Sequence, residues 1–209
     1  SMFVGLLMPI FSRTAFVDKE RFKNVFQQAF NILAIGAVPL VAGTIFISPQ
    51  IIRLLGGGNY PEAAVILNIL IFAVGVIFFG TDFSFALIAL EEQISLLMIT
   101  AAAAVFNLVF NFVFIPRYSY YAAAAGTVLT ELFVAAAMFF VLRRALNFSP
   151  SFKIFGKSLA AAFFMAAFFW KFNGYNLFFL LGAGGALYFV VLYAIRGFST
   201  KEILSLLRK

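Results

Sequence analysis

Two carboxylates, Asp82 and Glu131, lie inside long apolar runs of the sequence. An acid near the centre of a bilayer costs about 2.5–3.5 kcal/mol even on the lenient insertion scale, so neither is expected to face lipid. Carboxylates at such a depth can couple to a proton or to Na⁺, or accept hydrogen bonds from a polar substrate. A protonated or hydrogen-bonded packing role is the alternative for both acids.

Neutral polar side chains follow the same helices at helical spacing. Thr100, Asn107 and Asn111 fall within a sector of about 40° on one helix face. Thr127 and Glu131 form an i,i+4 pair on the next helix. A third polar stripe, on the preceding helix, consists of Asn68, Gly75 and Asp82. These stripes fit either a hydrophilic pathway or interhelical hydrogen bonding, and the sequence leaves both interpretations open.

The composition decides what kind of protein carries these residues. Of 209 residues, 64% are hydrophobic and 11% are charged, which excludes a water-soluble globule and indicates an all-α, polytopic membrane protein. Because Cys and His are both absent, the chain has no thiol nucleophile, no imidazole base and no Cys or His zinc site. We therefore expect no catalytic, metal or cofactor site, and no enzyme.

Charged residues, glycines and prolines interrupt the apolar sequence and divide it into six full spans, each flanked by short loops. The expected spans cover residues 25–48, 63–90, 94–115, 121–142, 157–170 and 176–195. Residues 1–11 are apolar but too short to span, so we expect them to be the end of a truncated helix. Residues 196–209 are expected to form a cytoplasmic tail, with a short amphipathic helix or a frayed end from Ser199 onward.

The basic residues are unevenly distributed between the two sides that these spans define. Twelve Lys and Arg residues fall on one side and three on the other. By the positive-inside rule the first side and the C-terminus are cytoplasmic. The net charge of +7 is spread over these loops, so we interpret it as topology information and expect no nucleic-acid partner.

Two stretches of the sequence resemble polysaccharide flippases of the multidrug/oligosaccharidyl-lipid/polysaccharide exporter superfamily. The first is Leu54–Ala64, where leucines are followed by three glycines, Tyr60, Pro61 and alanines. The second contains Asn107 and Asn111, then Ile-Pro-Arg-Tyr at residues 115–118 and an alanine-rich run ending in Gly126 and Thr127. Glu131 matches an acid often found shortly afterward. The family's glycines are replaced here by Ser119 and Ala122, which keeps both positions small.

The resemblance implies a transporter built from two lobes of helices, of which this chain is similar to the C-terminal one. It implies alternating access, which moves a polyprenyl-pyrophosphate-linked oligosaccharide or polysaccharide repeat unit across a bacterial or archaeal inner membrane. The implied partners are this lipid-linked glycan, membrane lipids and an N-terminal lobe of the same protein. Cavity arginines hold the pyrophosphate in related peptidoglycan-precursor flippases, and no Lys or Arg lies at midplane depth in the expected spans. Such cations are then expected in the other lobe, and the chain alone is expected to insert without transporting.

Within this reading, the expected substrate-pathway or coupling residues are Glu131, Asp82, Asn107, Asn111, Thr100 and Thr127. Three alternatives stay open: a multidrug exporter of the same superfamily, a membrane-embedded glycosyltransferase or polymerase, and a structural scaffold. The acids favour the first, because a small cationic drug would pair with them. The lack of a large loop with clustered charges disfavours the second.

The charge count predicts that the loop around Arg143–Lys157 is cytoplasmic. An alkaline phosphatase fusion in this loop should be inactive, and a green fluorescent protein fusion at the same site should fluoresce. Matched fusions next to Lys171 should behave in the opposite way. A reporter in the Arg143–Lys157 loop that is active only outside would contradict the topology and the lobe assignment.

Overall fold

The computed structural model describes residues 19–57 and 60–197, and this part of the chain is helical apart from short connections. Its five helices are each long and apolar enough to cross a membrane. They are α1 (Lys19–Gly56), α2 (Pro61–Ala89), α3 (Gln93–Leu146), α4 (Lys153–Lys171) and α5 (Leu177–Ala194). The expected all-α class is confirmed for these residues.

The expected count of six full spans plus a truncated one is not confirmed. The difference arises in α3, which contains both expected spans at residues 94–115 and 121–142. The truncated span at residues 1–11 and the tail helix from Ser199 lie outside the described residues. The other four helices overlap the remaining expected spans. The longest of these four is α1, with 38 residues.

The long helix α3 reverses direction at Ser119. This residue has φ 51° and ψ −135°, which no helix residue adopts. The amide of Asn107 donates to the hydroxyl of Thr130 at 2.9 Å, although 23 residues separate them. In a straight helix these residues would lie about 35 Å apart. Therefore residues 93–118 and 120–146 are two antiparallel arms, which we call the first and second arm of α3.

The chain divides into two compact units, and α1 contributes to both. Among the described residues, unit 1 takes those up to Leu33 together with Val65–Ser151. Unit 2 takes Ala34–Ala64 together with those from Phe152 onward. The division therefore falls within α1, between Leu33 and Ala34, and within α2, between Ala64 and Val65.

The core of unit 1 is built from aromatic rings at i,i+4 spacing. Phe22, Phe26 and Phe30 repeat every fourth residue on α1 and are each at most 2% exposed. Phe30 stacks on Phe83 of α2, with ring centroids 6.3 Å apart. The second arm of α3 completes this core with Met138, Leu142 and Leu146. Because lipid is as apolar as these rings, tight packing rather than water exclusion holds them together.

The core of unit 2 depends on small residues between α4 and α5. Ala161 and Ala162 are buried on α4, and Gly184 is buried on α5. A Cβ atom at Gly184 would overlap the ring of Phe169. Close approach of the two helices thus requires glycine at this position, in keeping with the small residues that are enriched at helix contacts in membranes.

Pro39 leaves one backbone carbonyl of α1 without its helical hydrogen-bond donor. The side chain of Tyr188 donates to this carbonyl instead. Pro39 has no N–H, so the carbonyl of Ile35 four residues earlier cannot form its usual helical bond. The hydroxyl of Tyr188, fully buried on α5, donates to this carbonyl at 2.9 Å. An unsatisfied backbone group is costly in hydrocarbon, so this contact stabilises the packing of α5 on α1 within unit 2.

We expect Tyr188→Phe to lower stability by about 1 kcal/mol, because the Ile35 carbonyl loses its donor. In a Pro39→Ala background the same change should cost less, since the alanine N–H restores the helical bond. Thermal unfolding of the four variants in detergent measures this coupling. Equal costs of Tyr188→Phe in both backgrounds would contradict the assigned role of the hydroxyl.

Candidate functional site

A polar cleft of about 550 Å³ lies between the two arms of α3. Four of the six expected site residues line it, together with one polar residue that the sequence analysis did not single out. The lining residues are Thr100, Ala103, Ala104, Asn107, Thr127, Thr130, Glu131 and Val134. The cleft lies entirely within unit 1. Ala103 and Ala104 lie among the polar lining residues, and their small side chains leave the gap between the arms unfilled.

A directed chain of hydrogen bonds connects the two arms at this cleft. The amide of Asn111 donates to the Asn107 side-chain oxygen at 2.9 Å. The amide of Asn107 donates in turn to the Thr130 hydroxyl, and that hydroxyl donates to the Gly126 carbonyl at 2.7 Å. Both functional groups of the Asn107 amide are thus engaged, which fixes its orientation. Interhelical hydrogen bonding, one of the two interpretations that the polar stripes left open, is present at this position.

The chain ends at an acceptor without a donor. The Oδ1 atom of Asn111 is buried and has no hydrogen-bond partner among the described residues. It faces Gly126, where a Cβ atom would lie 3.2 Å from it. A buried, unsatisfied acceptor is destabilising unless another donor approaches it.

The hydroxyls of the two expected threonines, Thr100 and Thr127, donate hydrogen bonds to backbone carbonyls of their own arms. Thr127 donates to the carbonyl of Ala123 at 3.0 Å. Thr100 donates to the carbonyls of Leu96 and Leu97, both at 3.0 Å. Their hydroxyl oxygens remain available as acceptors. The cleft is therefore richer in acceptors than in donors.

Glu131 is the charged residue of this cleft. Its side chain lines the cleft and is half-buried on the second arm. The ion pair between Lys23 and Glu20, at 2.7 Å, does not involve Glu131. A carboxylate in this position can accept hydrogen bonds from hydroxyl or ammonium groups that enter the cleft.

Asp82 is not brought to the cleft. It lies on α2, is completely buried, and neither of its carboxylate oxygens has a hydrogen-bond partner among the described residues. Asn68 shares its helix face and also carries a buried oxygen without a partner. The two acids of the sequence analysis therefore occupy different surroundings within unit 1.

Thr130 is the site residue that sequence reasoning missed. It lies three residues after Thr127 and one before Glu131, so helical spacing places all three on overlapping faces. Its role depends on Asn107, which is remote in sequence, so only the antiparallel pairing of the arms shows it. Within the described residues no cluster of three or more His, Cys, Asp or Glu side chains is placed to hold a metal ion.

Helices long enough to cross a membrane and a cleft between two helical arms are features that membrane transporters share. The family model of the lipid II flippase MurJ matches residues 2–190, and the chain belongs to this family. No curated protein matches the chain. The family consists of flippases that move a lipid-linked precursor across the inner membrane, and they are transporters rather than enzymes.

The family confirms the expected class of lipid-linked flippase and the multi-pass inner-membrane location. The match is to the lipid II flippase rather than to a polysaccharide flippase. The polysaccharide substrate, the C-terminal-lobe assignment and the cytoplasmic C-terminus stay predictions.

We expect Gly126→Ala to separate the arms at the cleft. The added Cβ would lie 2.7 Å from the Phe110 ring, closer than carbon atoms can approach. The free energy of unfolding should fall by about 1–3 kcal/mol, the usual cost of overpacking. Gly80→Ala on α2 is the control, because its Cβ would meet nothing within 4 Å. Thermal unfolding that is equally unaffected in both variants would show that the arms are not in contact there.

Proposed function

We propose that this chain is one lobe of a transporter that flips a polyprenyl-pyrophosphate-linked saccharide from the cytoplasmic to the outer leaflet, and that the cleft of α3 contacts the saccharide. Lipid II, named in the family description, is one member of this substrate class. The observation that carries the proposal is the acceptor-rich cleft with Glu131 in its wall. Sugar hydroxyls are donors, and the oxygens of Thr100, Thr127 and Glu131 can accept from them.

The position of the cleft along the helices supports this role. Glu131 is about ten residues from either end of the expected span at 121–142, which places it near the membrane midplane. Transporters commonly bind their substrates at this depth and rock between inward-facing and outward-facing states. We propose alternating access of this kind, with the chain serving as the C-terminal lobe and its C-terminus in the cytoplasm.

The pyrophosphate of the substrate requires cations from outside the cleft. The cleft-lining residues include no Lys or Arg. We therefore propose that the cleft recognises the neutral saccharide portion, while a second lobe of the protein binds the diphosphate. A polysaccharide repeat unit on the same lipid carrier would satisfy the same chemistry as a peptidoglycan precursor.

A second candidate is export of an organic cation. Support for it comes from the same cleft, since a carboxylate among acceptors without a basic neighbour attracts positive charge. The two functions differ in which competitor occupies the cleft. A small aromatic ammonium compound should bind in the cleft only if the chain is a multidrug exporter.

Glu131→Gln tests the role of the carboxylate. The amide keeps the size and much of the hydrogen-bonding capacity but removes the charge, so packing should survive. If the carboxylate binds substrate or a coupling cation, flipping should fall about tenfold or more, because a hydrogen bond to a charged group is worth about 1.5–3 kcal/mol. The variant is introduced at the native locus, and growth, membrane abundance and flipping of a fluorescent lipid-linked saccharide in proteoliposomes are measured.

Glu91→Gln is the matched control, because Glu91 is exposed in the connection between α2 and α3. It should leave flipping and abundance unchanged. Full flipping by Glu131→Gln at normal abundance would reject the coupling role and return Glu131 to a packing function.

A further inference from the structure

Three basic side chains lie at the end of unit 2 where α4 begins and α5 ends. They are Lys153 and Lys157 on α4 and Arg196 just after α5. The two lysines are four residues apart, so they share one helix face. The Nζ atom of Lys157 donates to the backbone carbonyl of Arg196 at 2.8 Å, which joins the start of α4 to the end of α5. Three positive charges therefore converge at one end of these two helices.

The backbone at Arg196 adopts a conformation that favours glycine. Arg196 has φ 54°, and its N–H donates to the carbonyl of Tyr193 at 2.9 Å. The N–H of Gly197 donates to the carbonyl of Leu192 at 2.8 Å. These two bonds form a Schellman motif, in which the left-handed residue is usually glycine. Because arginine strains the backbone here, helix capping alone does not account for an arginine at this position.

No carboxylate of unit 2 balances these charges. In residues 34–57, 60–64 and 152–197 the acid is Glu62, which follows α1 by a short connection. Near the end of α1, the amide of Gln50 donates to the backbone carbonyl of Asn173, just beyond the C-terminus of α4. Glu62 therefore lies at the opposite end of α4 from Lys153.

The start of α4 adds to the positive field. Its first turn contains Lys153 and no acidic residue, and the N-cap residue Phe152 forms no side-chain hydrogen bond to the helix. The N-terminus of a helix carries a partial positive charge, so a lysine is unfavourable there and an anion is favourable. The first N–H groups of α4 also have no helical acceptor, so they can donate to an external one.

Exposed apolar residues continue the helix face that begins with the lysines. Ala160 and Phe164 follow Lys157 at helical spacing on α4, and both are exposed. On α5, Phe189 lies two turns before Arg196 and is 52% exposed. A charged end followed by an apolar face fits a molecule with an anionic head and acyl chains. A free phosphate ion would use the charged end alone.

We propose that Lys153, Lys157 and Arg196 bind the phosphate of an anionic phospholipid in the leaflet at this end of unit 2. The three side chains and the first turn of α4 supply positive charge and hydrogen-bond donors to the phosphate. The acyl chains lie against the exposed apolar face. The positive-inside rule explains basic residues at such an end, but it does not require them to converge from two helices. The bound lipid offsets the repulsion among the three cations.

Fluorescence quenching by spin-labelled lipids tests this site without a transport assay. The chain has no cysteine, so Ala160→Cys, at an exposed position on the lysine face, carries the only fluorophore. The full chain is placed in phosphatidylcholine vesicles with a small fraction of nitroxide-labelled phosphatidylglycerol or nitroxide-labelled phosphatidylcholine. Phosphatidylglycerol should quench at a roughly fivefold lower mole fraction, because each basic residue near an anionic headgroup contributes about that factor. Equal quenching by the two lipids would overturn the proposal.

Lys153→Gln combined with Arg196→Gln should abolish the preference for phosphatidylglycerol. Lys153→Arg combined with Arg196→Lys keeps both charges and should keep the preference. Lys171→Gln is the matched control, because Lys171 is an exposed lysine at the other end of α4, and it should change nothing. A preference that survives the double glutamine change, or that Lys171→Gln removes equally, would overturn the site.

Thermal unfolding in phosphatidylcholine shows whether the double glutamine variant is folded, which is expected because both positions are exposed. Should it not fold, Lys153→Gln alone decides, since Lys153 lies outside the Schellman motif. This single change should lower the preference roughly twofold or more, and an unchanged preference would overturn the proposal.

Inorganic phosphate separates a lipid site from a general anion site. Added in excess at constant ionic strength, it should not displace the labelled phosphatidylglycerol, because it makes no contact with the apolar face. Complete displacement by inorganic phosphate would overturn the assignment to a lipid.

Discussion

Every backbone polar group of a membrane helix must find its partner inside the protein, because hydrocarbon offers none. Most residues of this chain meet that requirement by helix formation alone. Two exceptions among the described residues are the positions where proline interrupts α1, and there side chains complete the bonding. Tyr188 serves the Ile35 carbonyl and Ser48 serves the Ile45 carbonyl. One such bond therefore joins α5 to α1 within unit 2.

The same constraint applies to polar side chains, but some buried side-chain atoms have no hydrogen-bond partner among the described residues. Asn107 donates to Thr130 between the arms of α3, whereas Asp82 and Asn111 keep buried oxygens that no described donor reaches. A folded protein tolerates such costs where the groups serve something other than stability. The contrast separates the hydrogen bonds that join the arms from the buried acceptors that add nothing to stability.

The sequence predicts the helical class and most of the span positions, because apolar length and charge punctuation are local properties. It also predicts the polar stripe of Thr100, Asn107 and Asn111, since helical spacing is local as well. It does not predict which helices pack against each other, so neither Thr130 nor Tyr188 is identified as a contact residue from the sequence. Pro39 could be recognised as a break, but the donor to its freed carbonyl lies 153 residues away. The separation of Asp82 from the cleft depends on tertiary packing in the same way.

The chain of hydrogen bonds from Asn111 through Asn107 to Thr130 has a consequence for how the sequence can vary. Asn107 and Thr130 each donate to one group and accept from another, and Asn111 donates to Asn107, so a single replacement by an apolar residue leaves a second group without its bond. Replacing all three at once removes the demand together with its partners. These positions should therefore change as a set among related proteins, and neutral drift at any one of them alone should be rare.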